Sequence, residues 1–407
     1  MLLVIYLDRH ALTYPISHSV TKPKTIFIST GDVSGDLQGA LIVTALKQLA
    51  KKSGIDLNIV ALGGSRMAAA GANILADTTG ISSMGIWEAV PYIAPTIQVQ
   101  KIAKQYLKTT PPDAIVLIDY MSPNVSIGNY AKRVFPDVPI IYYIAPQEWV
   151  WATDKKNTSE IVKFTDQILS IFPAEARFFE SKGANVTFVG HPLLDRVANI
   201  PDRKFARAQL GIADDEIAVA LIPASRKQEL KYLMPAIFAA ARQIQTQLPQ
   251  VRFWIPLSRD VFKAEIDRAI LEYQLNATLI AENTDFVLSA ADLAITKCGT
   301  VSLELALLNV PQVVIYRVSK VTAWIAKNVI KFSIPFMSPT NLVEMKPIVP
   351  ELLQDEASPA RITAESLELI LNQEKRNRTF TEYAQMRLAL GDPGVCDRVA
   401  QEILAKI

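Results

Sequence analysis

The chain has 407 residues, which is too long for one compact domain, so two domains are expected. A formal net charge of +2, without any long block of Lys or Arg, gives no argument for a nucleic acid partner. The two cysteines lie far apart in the sequence, which indicates a reducing compartment rather than a disulfide framework. No motif has metal-ligand spacing, so neither a metal site nor a cofactor is predicted.

Residues 1–23 differ from the rest of the chain. The short apolar run from Leu2 to Leu7 is followed at once by polar residues, whereas a secretory signal places basic residues before a longer apolar core. We interpret the segment as a disordered or mis-started tail, with a weak membrane contact as the less favoured alternative. No stretch of about 20 apolar residues exists, so no membrane-spanning helix is predicted.

A glycine-rich segment, residues 31–39, lies between the first predicted strand and a helix that we predict to begin at Ala40. It has neither the Walker spacing nor the dinucleotide-binding spacing. Gly31 and Gly35 permit close approach of a ligand to the backbone, and Ser34 can hydrogen-bond such a ligand. Ser34 or Asp36 could also simply cap the helix, and both roles can hold together.

Residues 80–93 crowd apolar side chains, including Met84 and Trp87, into a segment that Gly85 and Pro91 interrupt. Such a segment makes a poor core helix. As an exposed patch it would suit acyl chains or a membrane surface. Ordinary core packing is an equally good alternative.

Asp119 follows an apolar predicted strand, residues 114–118. A carboxylate at the carboxyl end of a central parallel strand points into the crevice where α/β sheets bind ligands. Burial there would raise its pKa toward that of a useful general base. The alternatives are a helix cap or an ion-pair partner.

Two other residues follow strands in the first half of the chain. Trp149 lies just after the predicted strand of residues 140–144, where it either walls a pocket or simply packs. His191 is the histidine outside the N-terminal tail. We interpret it as a hydrogen-bonded hinge residue rather than as a catalytic base.

A second set of alternating strands and helices begins at Ile217, after a predicted polar linker over residues 195–207. Ser225 and Glu229 could cap the helix after the first strand of this set. Arg226 lies at the same strand-to-helix turn, where a guanidinium can reach a pyrophosphate. Its alternative role is an ion pair with Glu229.

The stretch 291–314 predicts a short buried strand, a tight loop from Lys297 to Gly299, a helix from Thr300 and a further strand. A helix that starts after such a loop points unpaired N–H groups and its positive dipole end at a ligand, and Lys297 adds a charge. Glu304, one turn later, could accept hydrogen bonds from ribose hydroxyls. The alternative is an ordinary turn with a solvated Glu304.

Together these elements predict an α/β fold of two doubly wound, Rossmann-like domains that face each other across a cleft. We expect an acceptor-binding domain over residues 24–195 and a donor-binding domain over 196–371. Residues 372–407 are expected to form helices that return to the N-terminal domain or are exchanged in a dimer. No Asp-x-Asp motif lies at a strand end, so positive groups and a helix dipole can replace a metal at a leaving pyrophosphate.

From Thr25 to Ile407 the chain resembles the lipid-A-disaccharide synthases, inverting glycosyltransferases of the two-domain GT-B type. Each shared motif alone is weak support, but the ordered set is strong. The motifs are Gly31-Asp-Val-Ser-Gly-Asp, Gly64-Ser-Arg-Met, Met84-Gly-Ile-Trp-Glu, Ile118-Asp119, Ala145-Pro with Trp149-x-Trp151, Phe188-Val-Gly-His191, Ser225-Arg226-x-x-Glu229, Gly299-Thr-x-x-Leu-Glu304, Tyr316-Arg317 and Pro339-x-Asn341-Leu.

The resemblance implies UDP-2,3-diacylglucosamine as donor and 2,3-diacylglucosamine 1-phosphate as acceptor, giving the β-1,6-linked lipid A disaccharide 1-phosphate and UDP. It implies that Asp119 deprotonates the acceptor 6-hydroxyl and that Arg226 holds the leaving diphosphate. The residues implied for the donor are Ser225, Arg226, Glu229, Lys297, Gly299, Thr300, Glu304, Arg317 and Asn341. Those implied for the acceptor and its acyl chains are Gly31, Ser34, Gly35, Met84, Trp87 and Trp149.

The resemblance also implies a peripheral protein on the cytoplasmic face of the inner membrane of a Gram-negative bacterium. The apolar patch of residues 84–93 would guide acyl chains there. A homodimer with exchanged C-terminal segments is a further implied possibility.

Four positions depart from the family pattern. Asp32 replaces a glutamate, Ser122 replaces a second aspartate after Asp119, Ala152 replaces an arginine, and Ala224 replaces a glycine. The changes near the acceptor crevice keep other hypotheses open. These are a related transferase with a different lipid acceptor, a catalytically silent UDP-sugar or lipid-binding protein, and a GT-B-shaped epimerase.

Overall fold

The computed structural model describes residues 23–81, 90–151, 155–328 and 334–407. Within them the chain alternates between strands and helices and forms two sheets. The strands of the first sheet are β1 (Lys24–Ser29), β2 (Leu57–Gly63), β3 (Asn73–Asp77), β4 (Ala114–Ile118), β5 (Ile140–Tyr143), β6 (Gln167–Ser170) and β7 (Val186–Phe188).

The first sheet has the order β3-β2-β1-β4-β5-β6-β7, and all its pairings are parallel. The order reverses between β1 and β4, so their carboxyl ends border a switch-point crevice. Helices cover both faces of the sheet. They are α1 (Val33–Lys52), α2 (Ser65–Ala69), α3 (Ile93–Thr109), α4 (Met121–Val134), α5 (Glu148–Trp151), α6 (Lys155–Phe164) and α7 (Pro173–Ser181).

The second sheet has the order β10-β9-β8-β11-β12-β13, again with parallel pairings. Its switch point therefore lies between β8 and β11. Its strands are β8 (Ile217–Ile222), β9 (Val251–Pro256), β10 (Ala277–Ile280), β11 (Leu293–Lys297), β12 (Gln312–Tyr316) and β13 (Glu351–Leu353).

The helices from residue 193 onward connect the two sheets, flank the second sheet and end the chain. Short 3₁₀ turns lie at Val90–Tyr92, Asp260–Phe262 and Gln354–Glu356. The helices are α8 (Leu193–Val197), α9 (Arg203–Leu210), α10 (Lys227–Gln247), α11 (Lys263–Glu272), α12 (Thr284–Ala290), α13 (Thr300–Leu307), α14 (Lys320–Asn328), α15 (Pro339–Leu342), α16 (Pro359–Leu371), α17 (Gln373–Ala389) and α18 (Val395–Leu404).

The central strands β4 and β11 are buried along their whole length. A strand of a parallel sheet that is covered on both faces is mainly apolar, as all of β4 and the first three residues of β11 are. The predicted α/β fold with two doubly wound units is confirmed.

The glycine-rich segment is mostly helical, which corrects the predicted start of the first helix at Ala40. The helix α1 begins at Val33, and Asp32 is its N-cap, accepting a hydrogen bond from the Gly35 N–H at 2.7 Å. The prediction that Ser34 or Asp36 caps the helix is therefore wrong. Ser34 consequently lies in the first helical turn, with the helix N-terminus beside it.

The predicted polar linker is wrong, because residues 195–207 fall largely in α8 and α9. The Asp195 carboxylate accepts hydrogen bonds from the N–H groups of Gly394, at 2.5 Å, and Cys396, at 2.7 Å. It thereby caps α18, which lies against α1 of the same chain. The domain boundaries at residues 195 and 371 stay a prediction.

In the four described ranges, no helix combines the length and the apolar character needed to cross a membrane.

Candidate active site

The carboxyl ends of the two sheets meet in one cleft. The hydroxyl oxygens of Ser34, at the start of α1, and Thr300, at the start of α13, lie 2.7 Å apart. The Arg226 guanidinium reaches across to the Asp32 carboxylate, with 2.7 Å between Nη2 and Oδ2. Residues that follow β1, β8 and β11 are therefore in direct contact, so both switch points open into a shared site.

Asp119 lies at the tip of β4 in a strained backbone conformation. Its φ angle is 48°, and that of Tyr120 is 50°, in the left-handed region that non-glycine residues seldom adopt. The Asn124 side chain holds this turn by donating to the carbonyl of Asp119 at 2.8 Å and to that of Ile118 at 3.1 Å. The Tyr142 hydroxyl donates to the same Asp119 carbonyl at 2.8 Å. These bonds aim the Asp119 side chain into the cleft.

The Asp119 carboxyl is a candidate for proton transfer near neutral pH. The residue is exposed to the cleft, but the protein packed around the carboxyl desolvates it and raises its pKa to about 7. The nearby Asp32 charge adds to this, while a backbone hydrogen bond from Tyr120 and the Arg226 charge oppose it. A group with this pKa is divided between its acid and base forms at pH 7. That property suits a general base.

Glu175 supports Asp119 through a single peptide group. The Ile144 carbonyl accepts the Asp119 N–H at 3.0 Å, and the next N–H, of Ala145, donates to Glu175 at 2.9 Å. The other Glu175 oxygen accepts the N–H of Ile171 at 2.9 Å. Glu175 is buried, and burial raises its pKa to about 8 despite these hydrogen bonds. The sequence analysis missed it, although a glutamate just after Pro173 at a helix start was a visible capping signal.

A cavity of about 570 Å³ opens beside Asp119. Its inner end is polar, with Asp32, Asp119 and Arg226. Its outer wall is apolar and includes Ile93 and Ile97 of α3, which are 54% and 51% exposed. The cavity therefore joins a charged reaction centre to a surface that accepts apolar chains.

The two predicted glycines of the first loop are needed by protein packing. A Cβ on Gly31 would lie 1.9 Å from a ring carbon of Tyr120, and one on Gly35 would lie 1.8 Å from the Thr30 hydroxyl oxygen. The neighbours of Gly31 and Gly35 on that side are thus protein atoms. Gly35 also lines a smaller cavity, of about 90 Å³, between Asp119 and Thr300.

The aromatic residues that follow β5 and β6 pack together beside this smaller cavity. The rings of Trp149 and Phe172 lie 5.5 Å apart, and those of Phe172 and His191 lie 5.2 Å apart. His191 Nδ1 accepts the Leu193 N–H at 3.2 Å, and burial lowers the pKa of His191 to about 3. A neutral, hydrogen-bonded histidine matches the structural role preferred from the sequence. Met84 and Trp87 lie outside the described residues.

In the second half, Glu229 organises the positive charges. It accepts the N–H groups of Ser225 at 2.5 Å and Arg226 at 3.0 Å, which confirms its predicted place at the helix start. Its other oxygen lies 3.6 Å from Lys297 Nζ and 3.5 Å from Arg226 Nη1. Burial alone would raise the pKa of Glu229, but the charges of Lys297 and Arg226 outweigh it and lower that pKa. The turn therefore holds two cations around a permanent negative charge.

Glu304 is buried and paired, so the alternative of a solvated Glu304 is wrong. Its carboxylate contacts Arg196 Nε at 2.5 Å, and the same guanidinium contacts Asp285 at 2.7 Å. Burial raises the pKa of Glu304, while Arg196 acts in the opposite direction. Arg196 comes from the region predicted to be a linker, and no local pattern marked it as a partner of the second domain.

Two further residues implied for the donor have partners in the protein. The Arg317 guanidinium donates to the Gln354 carbonyl at 2.9 Å. Asn341 is buried, donates to Glu351 at 2.7 Å and accepts the Val349 N–H at 2.9 Å. Asn341 thus shapes the loop between α15 and β13. The Gly299 N-cap of α13 has a φ of 150°, which favours glycine at that turn.

Among the described residues, no three His, Cys, Asp or Glu side chains come together as metal ligands.

The two facing sheets place the protein in the GT-B class. An S. aureus MnaA–UDP co-structure aligns with a TM-score of 0.65 at 16% identity, covering 94% of this chain and 98% of that one. An Acinetobacter baumannii MurG structure aligns with a TM-score of 0.55 at 16% identity, covering 94% and 100%. At these identities the likeness concerns the fold.

A family model described as LpxB, lipid-A-disaccharide synthetase, matches residues 26–406. Relatives called lipid-A-disaccharide synthase are 55% identical in Gloeothece citriformis, covering 93% of this chain and 99% of the relative, and 51% in Synechocystis sp., covering 93% and 97%. One from Geobacter sulfurreducens is 34% identical and covers 93% and 96%. The chain belongs to the lipid-A-disaccharide synthase family and is a hexosyltransferase.

Proposed function

We propose that the cleft transfers the acylated glucosaminyl group of UDP-2,3-diacylglucosamine to the 6-hydroxyl of 2,3-diacylglucosamine 1-phosphate. The products are the β-1,6-linked lipid A disaccharide 1-phosphate and UDP. The observation that carries the proposal is the Asp119 carboxyl, which lines the interdomain cleft beside Arg226 and has a pKa of about 7. Family membership supports lipid A disaccharide formation over a different acceptor or a catalytically silent protein.

In this mechanism Asp119 removes the proton of the acceptor 6-hydroxyl as its oxygen attacks the anomeric carbon of the donor. The C–O bond to UDP breaks on the opposite face, so one displacement inverts the anomeric configuration. Desolvation of Asp119 in the cleft raises its pKa to about 7, which is close to the working pH, as a general base requires.

The leaving diphosphate gains negative charge as that bond breaks. Arg226 and Lys297 lie around Glu229 at the second switch point, and the N-terminus of α13 adds its dipole. We assign these groups to the diphosphate. Thr300 and Ser34, in contact across the cleft, are suited to bind at the junction of the two substrates.

Glu304 is the proposed ribose acceptor. Its carboxylate already accepts from Arg196, so the ribose hydroxyls would have to share or displace that guanidinium. This competition predicts that Arg196 weakens donor binding while it holds Glu304 in place.

The exposed apolar wall of α3 supports the assignment of the larger cavity to the acyl chains. It also supports a peripheral position on the inner face of the cytoplasmic membrane, where acylated substrates reside. For a homodimer, the exposed Leu371 and Leu388 on the C-terminal helices offer apolar surface to a second copy.

The test incubates the protein with both substrates and follows UDP and the acylated disaccharide 1-phosphate by mass spectrometry. Equal amounts of the two products, formed only with acceptor present and lost in Asp119→Asn, support the proposal. UDP release without disaccharide, or disaccharide formation undiminished in Asp119→Asn, contradicts it.

A further inference from the structure

A second interdomain cavity of about 570 Å³ adjoins the one beside Asp119 and shares Tyr92 and Arg226 with it. One wall comes from the first half of the chain, at Thr79 and Gly80. The opposite wall is the start of α10 and the 3₁₀ turn at Asp260–Phe262. The mechanism proposed above places no substrate group in this second cavity.

The wall on the second domain is strongly positive. Lys227 and Lys231 lie one helical turn apart on α10, and Arg259, just before the 3₁₀ turn, lines the same cavity. Arg226 adds a fourth cation at the boundary with the first cavity, and Glu265 is a carboxylate in this lining. Like charges gathered this way repel one another, which costs stability unless an anion binds between them.

The three outer cations also lack carboxylate partners in the part of the chain that the structure describes. Lys231 lies 5.5 Å from the centre of the Tyr232 ring, and Arg259 lies 5.7 Å from that of Phe262. In contrast, Lys297 and Arg196, deeper in the cleft, each contact a carboxylate. Aromatic rings therefore hold Lys231 and Arg259 beside the cavity without neutralising their charges, which are available to a ligand.

We propose that this cavity binds the 1-phosphate of the acceptor sugar through Lys231, Arg259 and Lys227. The inference rests on the proposed function, in which Asp119 faces the acceptor 6-hydroxyl. On a glucosamine ring C1 and C5 both flank the ring oxygen, so the 1-phosphate and the 6-hydroxyl project from neighbouring positions on the same side of the ring. A ring bound at Tyr92 and Arg226, where the two cavities adjoin, can therefore present its 6-hydroxyl to the cavity beside Asp119 and its phosphate to the outer one.

The donor diphosphate is a different anion with a different place. Two of its proposed ligands, Lys297 and the start of α13 at Thr300, are absent from the lining described for this outer cavity, and the third, Arg226, lies at the boundary with the cavity beside Asp119. The outer cations are consequently free to discriminate between acceptors with and without a phosphate monoester. Charge-assisted hydrogen bonds of this kind favour a phosphate over a neutral hydroxyl.

The experiment compares two acceptors, 2,3-diacylglucosamine with and without its 1-phosphate, in neutral detergent micelles. The measured quantity is the ratio of their kcat/KM values for the wild type, Lys231→Gln and Arg259→Gln. We expect the wild type to prefer the phosphorylated acceptor. Each variant should reduce that preference about tenfold, mainly by raising the KM of the phosphorylated acceptor.

Lys263→Gln is the matched control, because Lys263 is an exposed cation on α11 that pairs with Asp267 at 2.7 Å and does not line the cavity. It should leave the ratio unchanged. A similar fall in the control would assign the effect to overall charge and overturn the inference. A rise in the KM of the UDP-sugar in Lys231→Gln, with the ratio intact, would assign these cations to the donor and also overturn it.

Vesicles of anionic phospholipid test the other source of phosphate groups. If Lys231→Gln loses vesicle binding while the acceptor ratio stays at the wild-type value, the cations serve the membrane surface and the inference is wrong. Failure of the proposed function looks different, because the wild type would then form disaccharide from neither acceptor.

Discussion

Two carboxylates at the carboxyl edge of their sheets, one in each half of the molecule, show opposite electrostatics. Asp119 opens to the cleft, and desolvation by the surrounding protein together with the Asp32 charge raises its pKa to about 7. Glu229 is buried, but the charges of Lys297 and Arg226 and two backbone N–H groups lower its pKa. Burial therefore does not decide the protonation state of a carboxyl by itself.

The difference divides the chemistry between the two halves. The first half holds a group that can gain and lose a proton at neutral pH, as removal of a hydroxyl proton requires. The second half holds a fixed array of charges, as binding of a diphosphate requires. Asp32 and Arg226 connect the two arrays at 2.7 Å, so a change on one side reaches the other.

The largest expected effect is that of Asp119→Asn on turnover. Loss of the general base should lower kcat by about 10²-fold or more. The melting temperature should stay the same or rise, because a neutral amide replaces a carboxyl whose ionised form is disfavoured by desolvation and by the Asp32 charge. Acceptor-dependent UDP release and calorimetry measure the two quantities.

The exposed Asp137→Asn is the control for that substitution and should change neither quantity. A loss of activity in Asp119→Asn that is matched by a comparable loss of stability would point to a structural role for Asp119.

The second prediction concerns the pH dependence of stability. Asp119 and Glu175 have raised pKa values when folded, so between about pH 4 and their folded values of about 7 and 8 the folded state binds more protons than the unfolded state. Stability from these groups is therefore present at low pH and lost as pH rises through 7 to 8. Glu175→Gln should reduce this fall by about 4 kcal/mol between pH 5 and pH 9, since about three pH units separate pH 5 from the folded pKa of Glu175 and each is worth about 1.4 kcal/mol.

Urea unfolding at a series of pH values checks this second prediction. The exposed Glu180→Gln on the same helix serves as the control, because Glu180 lies at the surface. An undiminished fall in the stability of Glu175→Gln would show that Glu175 is ionised when folded.

The third prediction tests the charge array around Glu229. Lys297→Met should destabilise the protein by about 2 kcal/mol, less than the usual cost of breaking a buried pair because Arg226 remains. Adding Glu229→Gln should recover part of that loss in urea unfolding. An additive further loss in the double variant would mean that Lys297 stabilises the fold independently of Glu229.

The smallest expected effect is at the contact between the halves. Ser34→Ala and Thr300→Val should each lower kcat/KM by less than tenfold, and the double variant should fall no further than the worse single one. The coupling energy between the two substitutions should then be about 1 kcal/mol, the contribution of one hydrogen bond. If the two losses in kcat/KM multiply in the double variant, the two hydroxyls act independently, each on a different substrate.

The central elements of the fold could be predicted because their signals are local. The strand β4 is an apolar run, and α13 lies between Gly299 and Pro311, which mark its limits in the sequence. The short strands β3 and β13 were missed, because they are brief and partly exposed and resemble loop sequence.

The rest of the site depends on partners far apart in the sequence. Arg196 on α8 pairs with Glu304 on α13, 108 residues away, and this pairing ties the region predicted as a linker to the second sheet. Asn124 and Glu175 act on Asp119 through backbone groups, which leave no side-chain pattern to detect. The strand-end position of Asp119 was predictable from topology alone, whereas its supports were not.

The most direct test of the account is the pH dependence of kcat/KM for acceptor-dependent UDP release, from pH 5 to pH 9. We predict a rise of about tenfold per pH unit that levels off above about pH 7, because ionised Asp119 is the active form. Asp119→Asn should lack this break. A wild-type profile that is flat through pH 7, or a break that Asp119→Asn retains because the substrate phosphate causes it, would contradict the role of Asp119.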